Sequence, residues 1–206
     1  MKIYVDTASL DEIKEWDVHP WVSGFTTNPT LARLYVETTE VYPPKGPHGF
    51  WGWAKELVSL TDKPVSIDGP PEVWNLRENV YRKVTSSDMP PGPCQVNLTA
   101  VCSVRQTRVQ WLKPDDIISV FAGRIMDTGR DPIAVIDAAK KTGAQVLWAS
   151  VREPYNIVMA EDAGCDIVTV PPAILKKYLA WHGKPLETVA QETIRQFERD
   201  AEGLWC

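Results

Sequence analysis

Short strand-like runs alternate with helical stretches along almost the whole chain, and no other property limits the fold as strongly. Lys2–Asp6 is a β-branched and aromatic run that ends in an acid. Ser9-Leu10-Asp11-Glu12 follows as a capping box that opens a short helix through Trp16. Further strands are read at Val22–Thr26, Pro64–Asp68, Glu78–Thr85, Cys94–Thr99, Asp116–Phe121, Gln145–Ser150 and Asp166–Val170. Helices are read at Thr30–Val36, with Pro29 in the first turn, and at Trp51–Leu60, Ser103–Leu112, Pro132–Lys141, Glu153–Ala163, Pro171–Trp181 and Pro185 to about Ala201. Residues 37–50, rich in Thr, Pro and Gly, read as a long surface loop. Eight strands mostly alternating with helices predict an α/β fold, a parallel sheet closed into a (β/α)8 TIM barrel. An open doubly wound sheet is the alternative. It calls for a glycine-rich phosphate turn after the first strand, where this chain has Asp6-Thr7-Ala8-Ser9.

Two connections fit a regular barrel poorly. A parallel crossover takes about a dozen residues or more, usually with a helix. Gly69–Arg77 contains Pro70-Pro71, and Ser86–Pro93 contains Pro90-Pro91-Gly92-Pro93. The helical layer is therefore expected to be truncated around strands three to five, and Arg82 is expected to reach water through the gap. No repeat, low-complexity segment or boundary divides the chain, so residues 1–206 read as one barrel domain with an extra helix at about 185–201.

Composition excludes several function classes. A net charge of -5, without a Lys/Arg block, argues against a nucleic-acid-binding surface. Four scattered cysteines, with no C-x-x-C pair, fit a reducing compartment better than a disulfide framework or a zinc site. His19, His48 and His182 stand apart, so no metal site is expected on them. A strand pattern begins at Lys2, no signal peptide is read, and no apolar run approaches membrane-spanning length; a cytoplasmic protein is expected.

The chemistry is sought around Lys83. Period 2 places Tyr81, Lys83 and Thr85 on one face of the fourth strand, and Val80, Arg82 and Val84 on the other. The plain reading of Lys83 is a solubilising charge on an exposed strand. The other strand ends favour an inward lysine. Asp6, Thr26, Asn28, Asp68, Asn97, Thr99, Ser119, Arg124, Ser150 and Arg152 all fall at or just past C-terminal strand ends, where the active site of such a barrel lies. Each has a dull explanation alone: Asp6 as a helix cap, Asn28 as a turn residue, Ser119 as a small strand residue. Together they are expensive to bury unless they serve a ligand or each other. A desolvated lysine attacks carbonyls as a neutral amine, carboxylates move the protons, and arginine forks hold a phosphate. The set points to a sugar phosphate handled through an imine.

These residues lie in a recognisable series: Tyr4-Val5-Asp6-Thr7-Ala8, Gly24-Phe25-Thr26-Thr27-Asn28-Pro29-Thr30, Val96-Asn97-Leu98-Thr99, Val120-Phe121-Ala122-Gly123-Arg124-Ile125, Ala149-Ser150-Val151-Arg152 and Ala163–Pro171. The series resembles the small transaldolases and fructose-6-phosphate aldolases, in order and over nearly the whole chain. The resemblance implies a class I barrel with Lys83 as the Schiff-base lysine, Asp6 as the acid/base, and Asp68 with Thr99 holding a catalytic water. It assigns Thr26, Asn28, Asn97 and Ser119 to the dihydroxyacetone unit, and Arg124, Ser150 and Arg152 to the phosphate. Fructose-6-phosphate aldolases carry a tyrosine where this chain has Phe121 and a glutamine where it has Asp68. Phenylalanine and an acid are the transaldolase pattern, so transfer of a dihydroxyacetone unit, a step of the pentose phosphate pathway, is expected over free aldol cleavage. The departures are Val84-Thr85 after the lysine, an aspartate for the usual glutamate at 68, shorter connections around the fourth strand and a longer loop at 37–50. A non-catalytic sugar-phosphate-binding relative is the other alternative. The chemistry implies no cofactor, because the protonated imine is the electron sink. Leu186, Val189, Ala190, Ile194 and Phe197 form one stripe of the last helix. The stripe either packs on its own barrel or, as the resemblance implies, meets a neighbouring subunit in a homo-oligomeric ring, a pentamer or decamer.

Overall fold

The first strand and helix form as their sequence requires. The strand β1 (Lys2–Asp6) leads to Ser9, whose side chain accepts the Glu12 N–H at 3.3 Å and so caps α1 (Leu10–Asp17). The return arm of the capping box is indirect. Glu12 takes the Thr7 hydroxyl, and that hydroxyl oxygen accepts the Ser9 N–H at 3.0 Å. Leu10, Ile13 and Trp16 form the buried face of α1, at the spacing of an amphipathic helix.

The computed structural model describes residues 1–39, 47–68, 81–85 and 95–204. For Asp68 and for residues 81–85 the description is of the backbone and its pairing. Beyond α1 the order is β2 (Val22–Thr26), α2 (Pro29–Thr39), α3 (Pro47–Ser59), β3 (Val65–Asp68), β4 (Tyr81–Thr85), β5 (Val96–Val101) and β6 (Ile117–Val120). Then come α4 (Ala122–Asp127), α5 (Ile133–Lys140), β7 (Gln145–Trp148), α6 (Tyr155–Asp162), β8 (Ile167–Val170), α7 (Pro172–Trp181) and α8 (Leu186–Ala201). The eight strands close into a barrel in sequence order, β1 pairing with β8. The TIM-barrel expectation holds.

Strand direction differs at one place. Seven strands run parallel, whereas β4 is antiparallel to both β3 and β5. A parallel fourth strand would require two crossovers of a dozen residues or more. An antiparallel strand joins its neighbours at the same end, which suits the short proline-rich stretches flanking it. Those stretches, 69–77 and 86–93, and Glu78–Val80 at the expected start of the strand, lie outside the described residues.

Two further expectations are corrected. Within 37–50, residues 37–39 belong to α2 and 47–50 to α3, so helix occupies both ends of the predicted loop. In place of a helix over Ser103–Leu112 there is one 3-10 turn, Val104–Thr107. Gln106 explains it. Its side-chain oxygen accepts the Cys102 N–H and the Ser103 hydroxyl, both at 2.9 Å, and its nitrogen donates to Ala100 O at 3.1 Å. The chain is folded back on itself there before an α-helix can propagate. Helix α4, not anticipated, begins directly after β6.

Packing is in two layers. Outward residues such as Val5, Phe25, Leu98, Ile118, Val146, Trp148 and Val168 join α1, α3 and α5–α7 in one core. Inside, Tyr4, Ile117, Leu147, Ala149 and Ile167 form a smaller apolar cluster against which Phe121 packs. Gly24 makes room for it: a Cβ there would lie 2.7 Å from Tyr4 Cζ and 2.8 Å from the Pro64 carbonyl oxygen.

Carboxylates tie the strand starts at the opposite end. Asp166 accepts the Val146 N–H at 2.7 Å. Asp116, 3 % exposed, accepts Val96 N–H at 2.8 Å and Lys113 N–H at 2.7 Å. Removing a buried acceptor leaves its donors unsatisfied. Asp116→Ala is therefore expected to lower stability by about 2 kcal/mol, and Asp116→Asn by less, measured by urea denaturation. An unchanged midpoint for the alanine variant would contradict this account.

Candidate active site at the barrel mouth

The strand periodicity that sends Val5, Phe25 and Leu98 outward sends Asp6, Thr26, Asn97 and Thr99 inward. Thr26, Ser66, Asn97, Thr99, Ser119 and Thr169 are all buried within the barrel. Such groups are stable there only when hydrogen-bonded or used by a ligand. They form two networks.

In the first, the Thr26 hydroxyl donates to Asp6 Oδ1 at 2.8 Å and lies 2.6 Å from the Thr169 hydroxyl. It joins β1, β2 and β8. In the second, the Ser119 hydroxyl donates to Asn97 Oδ1 at 2.7 Å, and Asn97 Nδ2 donates to Ser66 Oγ at 2.8 Å. That chain spans from β6 through β5 to β3, across the width of β4. Thr99 stands apart: its hydroxyl is buried and has no hydrogen-bond partner among the described residues. Immediately after it, Ala100 adopts φ 59 in a one-residue bulge of β5.

The ladders position β4. Lys83 is level with Asp68 on one side and with Asn97 on the other, and Tyr81 is level with Thr99. Arg82 is level with Leu98, which belongs to the outer core row. Asp68 is the last residue of β3, so this level lies at the C-terminal mouth of that strand.

The other side of the mouth is built by α4 and the segment after β7. Phe121 is the N-cap residue of α4 and is half-buried, with the Arg124 guanidinium 5.6 Å from its ring centroid. Ser150 adopts φ 64, a left-handed conformation unusual for serine. Asn156, 1 % exposed, holds the turn that follows, its Oδ1 accepting the N–H groups of Arg152 at 2.8 Å and Glu153 at 3.3 Å. The Arg152 side chain is paired with Asp127 at 2.8 Å, both about half exposed.

The residues singled out by sequence therefore fall into groups. Asp6 meets Thr26, Asn97 meets Ser119, and Arg124 meets Phe121. Asn28 Oδ1 accepts Leu31 N–H at 3.0 Å and caps α2. Sequence reasoning missed Ser66, Thr169 and Asn156. Ser66 and Thr169 lie two residues from Asp68 and Ile167, on inward rows, which was the available signal. Asn156 lies inside a helix and gives none.

Burial raises the Tyr4 hydroxyl above its ordinary range, so the ring at the barrel floor stays neutral. Burial also pushes the Cys165 thiol up to about 12, which makes it an inert packing group. Among the described residues, no cluster of His, Cys, Asp or Glu gathers as a metal site, and no helix is long and apolar enough to cross a membrane.

A TIM barrel with a buried polar ring and two arginines at its C-terminal mouth has the build of an enzyme scaffold. Comparison with known proteins narrows this. The chain belongs to the transaldolase/fructose-6-phosphate aldolase family, whose sequence model matches residues 86–205, starting just beyond Lys83. It is 30% identical to a probable transaldolase of Thermoplasma volcanium, over 85% of this chain and 86% of that protein. It is 31% identical to a probable transaldolase of Nitrosopumilus maritimus, over 87% of each. With a probable transaldolase of Desulforudis audaxviator it shares 29% identity over 97% of each chain.

The Ser150 corner yields a sharp expectation. A Cβ on Gly123 would lie 1.7 Å from the Ser150 carbonyl oxygen, a backbone atom that cannot step aside. Gly123→Ala is expected to destabilise the fold by roughly 2–3 kcal/mol. It should also accelerate amide exchange across Ser150–Glu153, read by hydrogen-exchange mass spectrometry. Wild-type protection in that segment would refute the packing argument.

Proposed function

We propose that this protein is a transaldolase, transferring a dihydroxyacetone unit from a ketose phosphate to an aldose phosphate through an imine on Lys83. The observation that carries the reading is the β4 register, in which Lys83 is level with Asp68 and with Asn97. It brings a mid-strand lysine to the level of the polar ring. The names of the relatives agree with it, and so do Phe121 and Asp68, which stand where fructose-6-phosphate aldolases carry tyrosine and glutamine.

In the proposed reaction the neutral amine of Lys83 adds to C2 of a ketose phosphate, and water leaves to give the protonated imine. Asp68 and Thr99 serve this step, and the buried Thr99 hydroxyl, without a partner among the described residues, is suited to it. Asp6 then accepts the C4 hydroxyl proton. The C3–C4 electron pair passes into the imine, the aldose phosphate leaves, and a three-carbon enamine remains on Lys83. A second aldose phosphate accepts that unit by the reverse steps. Thr26, Asn97 and Ser119 line the three-carbon unit; Asn28, with its oxygen committed to α2, contributes its amide nitrogen. Arg124, Ser150 and Arg152 hold the phosphate. The step belongs to the pentose phosphate pathway and to the cytoplasm.

Incubation with fructose 6-phosphate followed by borohydride is expected to leave a three-carbon adduct on Lys83, found by mass spectrometry. Lys83→Ala should abolish the adduct while leaving the fold intact. Turnover should require an aldose-phosphate acceptor. Release of free dihydroxyacetone at a matching rate without acceptor would favour the aldolase. A folded protein that binds phosphate but gives no adduct would leave a sugar-phosphate-binding role.

The protein is also proposed to act as a homo-oligomer. No residue of α8 is buried, and Leu186, Ile194 and Phe197 are 80%, 56% and 67% exposed. An apolar stripe of this kind calls for cover, and the family resemblance supplies a second copy of the chain. Phe197→Glu is expected to reduce the mass seen by light scattering to that of a smaller species. A wild-type protein that is already monomeric would rule this out.

A further inference from the structure

We infer that Thr169 is a positioning residue for Asp6, acting through Thr26; the inference rests on the transaldolase reading, in which Asp6 moves the proton of carbon–carbon cleavage. A threonine hydroxyl has a single hydrogen to donate. Thr26 gives its hydrogen to Asp6 Oδ1 at 2.8 Å. The 2.6 Å contact between the two threonine hydroxyls therefore carries the hydrogen of Thr169. The chain runs in one direction, from Thr169 to Thr26 to the carboxylate.

The surroundings give this direction consequence. Thr169 is 4% exposed, and its neighbours Val168 and Val170 belong to the outer core. The inward residue before it, Ile167, is part of the apolar cluster inside the barrel. Valine has nearly the same shape and would fill this place without burying a hydroxyl. The hydroxyl is retained in a position where its hydrogen has one described acceptor, Thr26. A hydrogen bond received by Thr26 makes Thr26 a stronger donor, and in a low-dielectric interior that cooperation is larger than in water. The carboxylate is thereby held in one orientation and favoured as the anion.

An anion is what the cleavage step requires. Asp6 takes the C4 hydroxyl proton as the C3–C4 pair moves into the protonated imine. Imine formation itself does not use this proton transfer. Weakening the chain should slow cleavage and leave attack by Lys83 unaffected.

Thr169→Val and Thr169→Ser test the idea against wild type, with fructose 6-phosphate as donor and borohydride trapping as the readout. The valine variant is expected to lose about tenfold in kcat, with KM nearly unchanged. Its trapped adduct should shift from three carbons towards six, because the uncleaved imine accumulates. Serine keeps the hydroxyl and should restore both rate and adduct. A valine variant that matches wild type overturns the inference. So does a serine variant as slow as valine, which would make packing the cause. Loss of all adduct from the valine variant would likewise refute a role confined to cleavage. If wild type itself gives no adduct, the transaldolase reading fails and the inference falls with it, an outcome distinct from the others.

Discussion

The cost of burying polar groups governs the interior of this barrel. Water is largely excluded from the inward rows, so each hydroxyl and amide there must find a partner within reach. Tyr4, Ile117, Leu147, Ala149 and Ile167 occupy part of the space with apolar atoms. The rest is taken by two short networks, one on Asp6 and one on Asn97. Each network joins strands that the backbone ladder also joins or nearly joins. Polar satisfaction and barrel closure are therefore mutually supporting.

Reversal of β4 is compatible with closure because the antiparallel ladder satisfies backbone groups as fully as the parallel one. It changes what each end of the strand faces. In a parallel barrel the mouth receives C-terminal strand ends; at β4 it receives the N-terminal end. The hydrogen-bond chain from Ser119 through Asn97 to Ser66 passes across β4 and links its two neighbours directly. The barrel wall is thus braced from inside at the strand whose direction differs.

Strand and helix alternation made the fold legible from sequence, since eight apolar runs of period 2 or full burial admit few other topologies. Asp6, Thr26, Asn97 and Ser119 were legible for the same reason: a polar residue on an inward row needs an explanation. Strand direction was less legible, because periodicity is identical for parallel and antiparallel strands; only the short proline-rich connections hinted at it. The missing helix after β5 was hidden in a side chain, as Gln106 competes with the backbone for hydrogen bonds. Asn28 was legible only in part: a Thr-Asn-Pro turn fits a ligand contact and a helix cap equally well, and its oxygen serves the cap.

The Ser150 corner shows how strain is held at a mouth without a large core around it. A serine at φ 64 is disfavoured by about 1 kcal/mol or more. Three contacts over-determine it. Gly123 approaches its carbonyl so closely that no side chain fits between, Asn156 fixes the backbone two and three residues on, and Asp127 holds the arginine that projects from the same turn. Asn156 and Gly123 are fully inside the packed structure, whereas Asp127 and Arg152 face solvent. The inner pair can therefore set the path of the chain, while the outer pair, worth little as an exposed ion pair, can exchange its carboxylate for another anion. Rigid backbone beneath an exchangeable arginine contact lets one corner be both well defined and open to solvent.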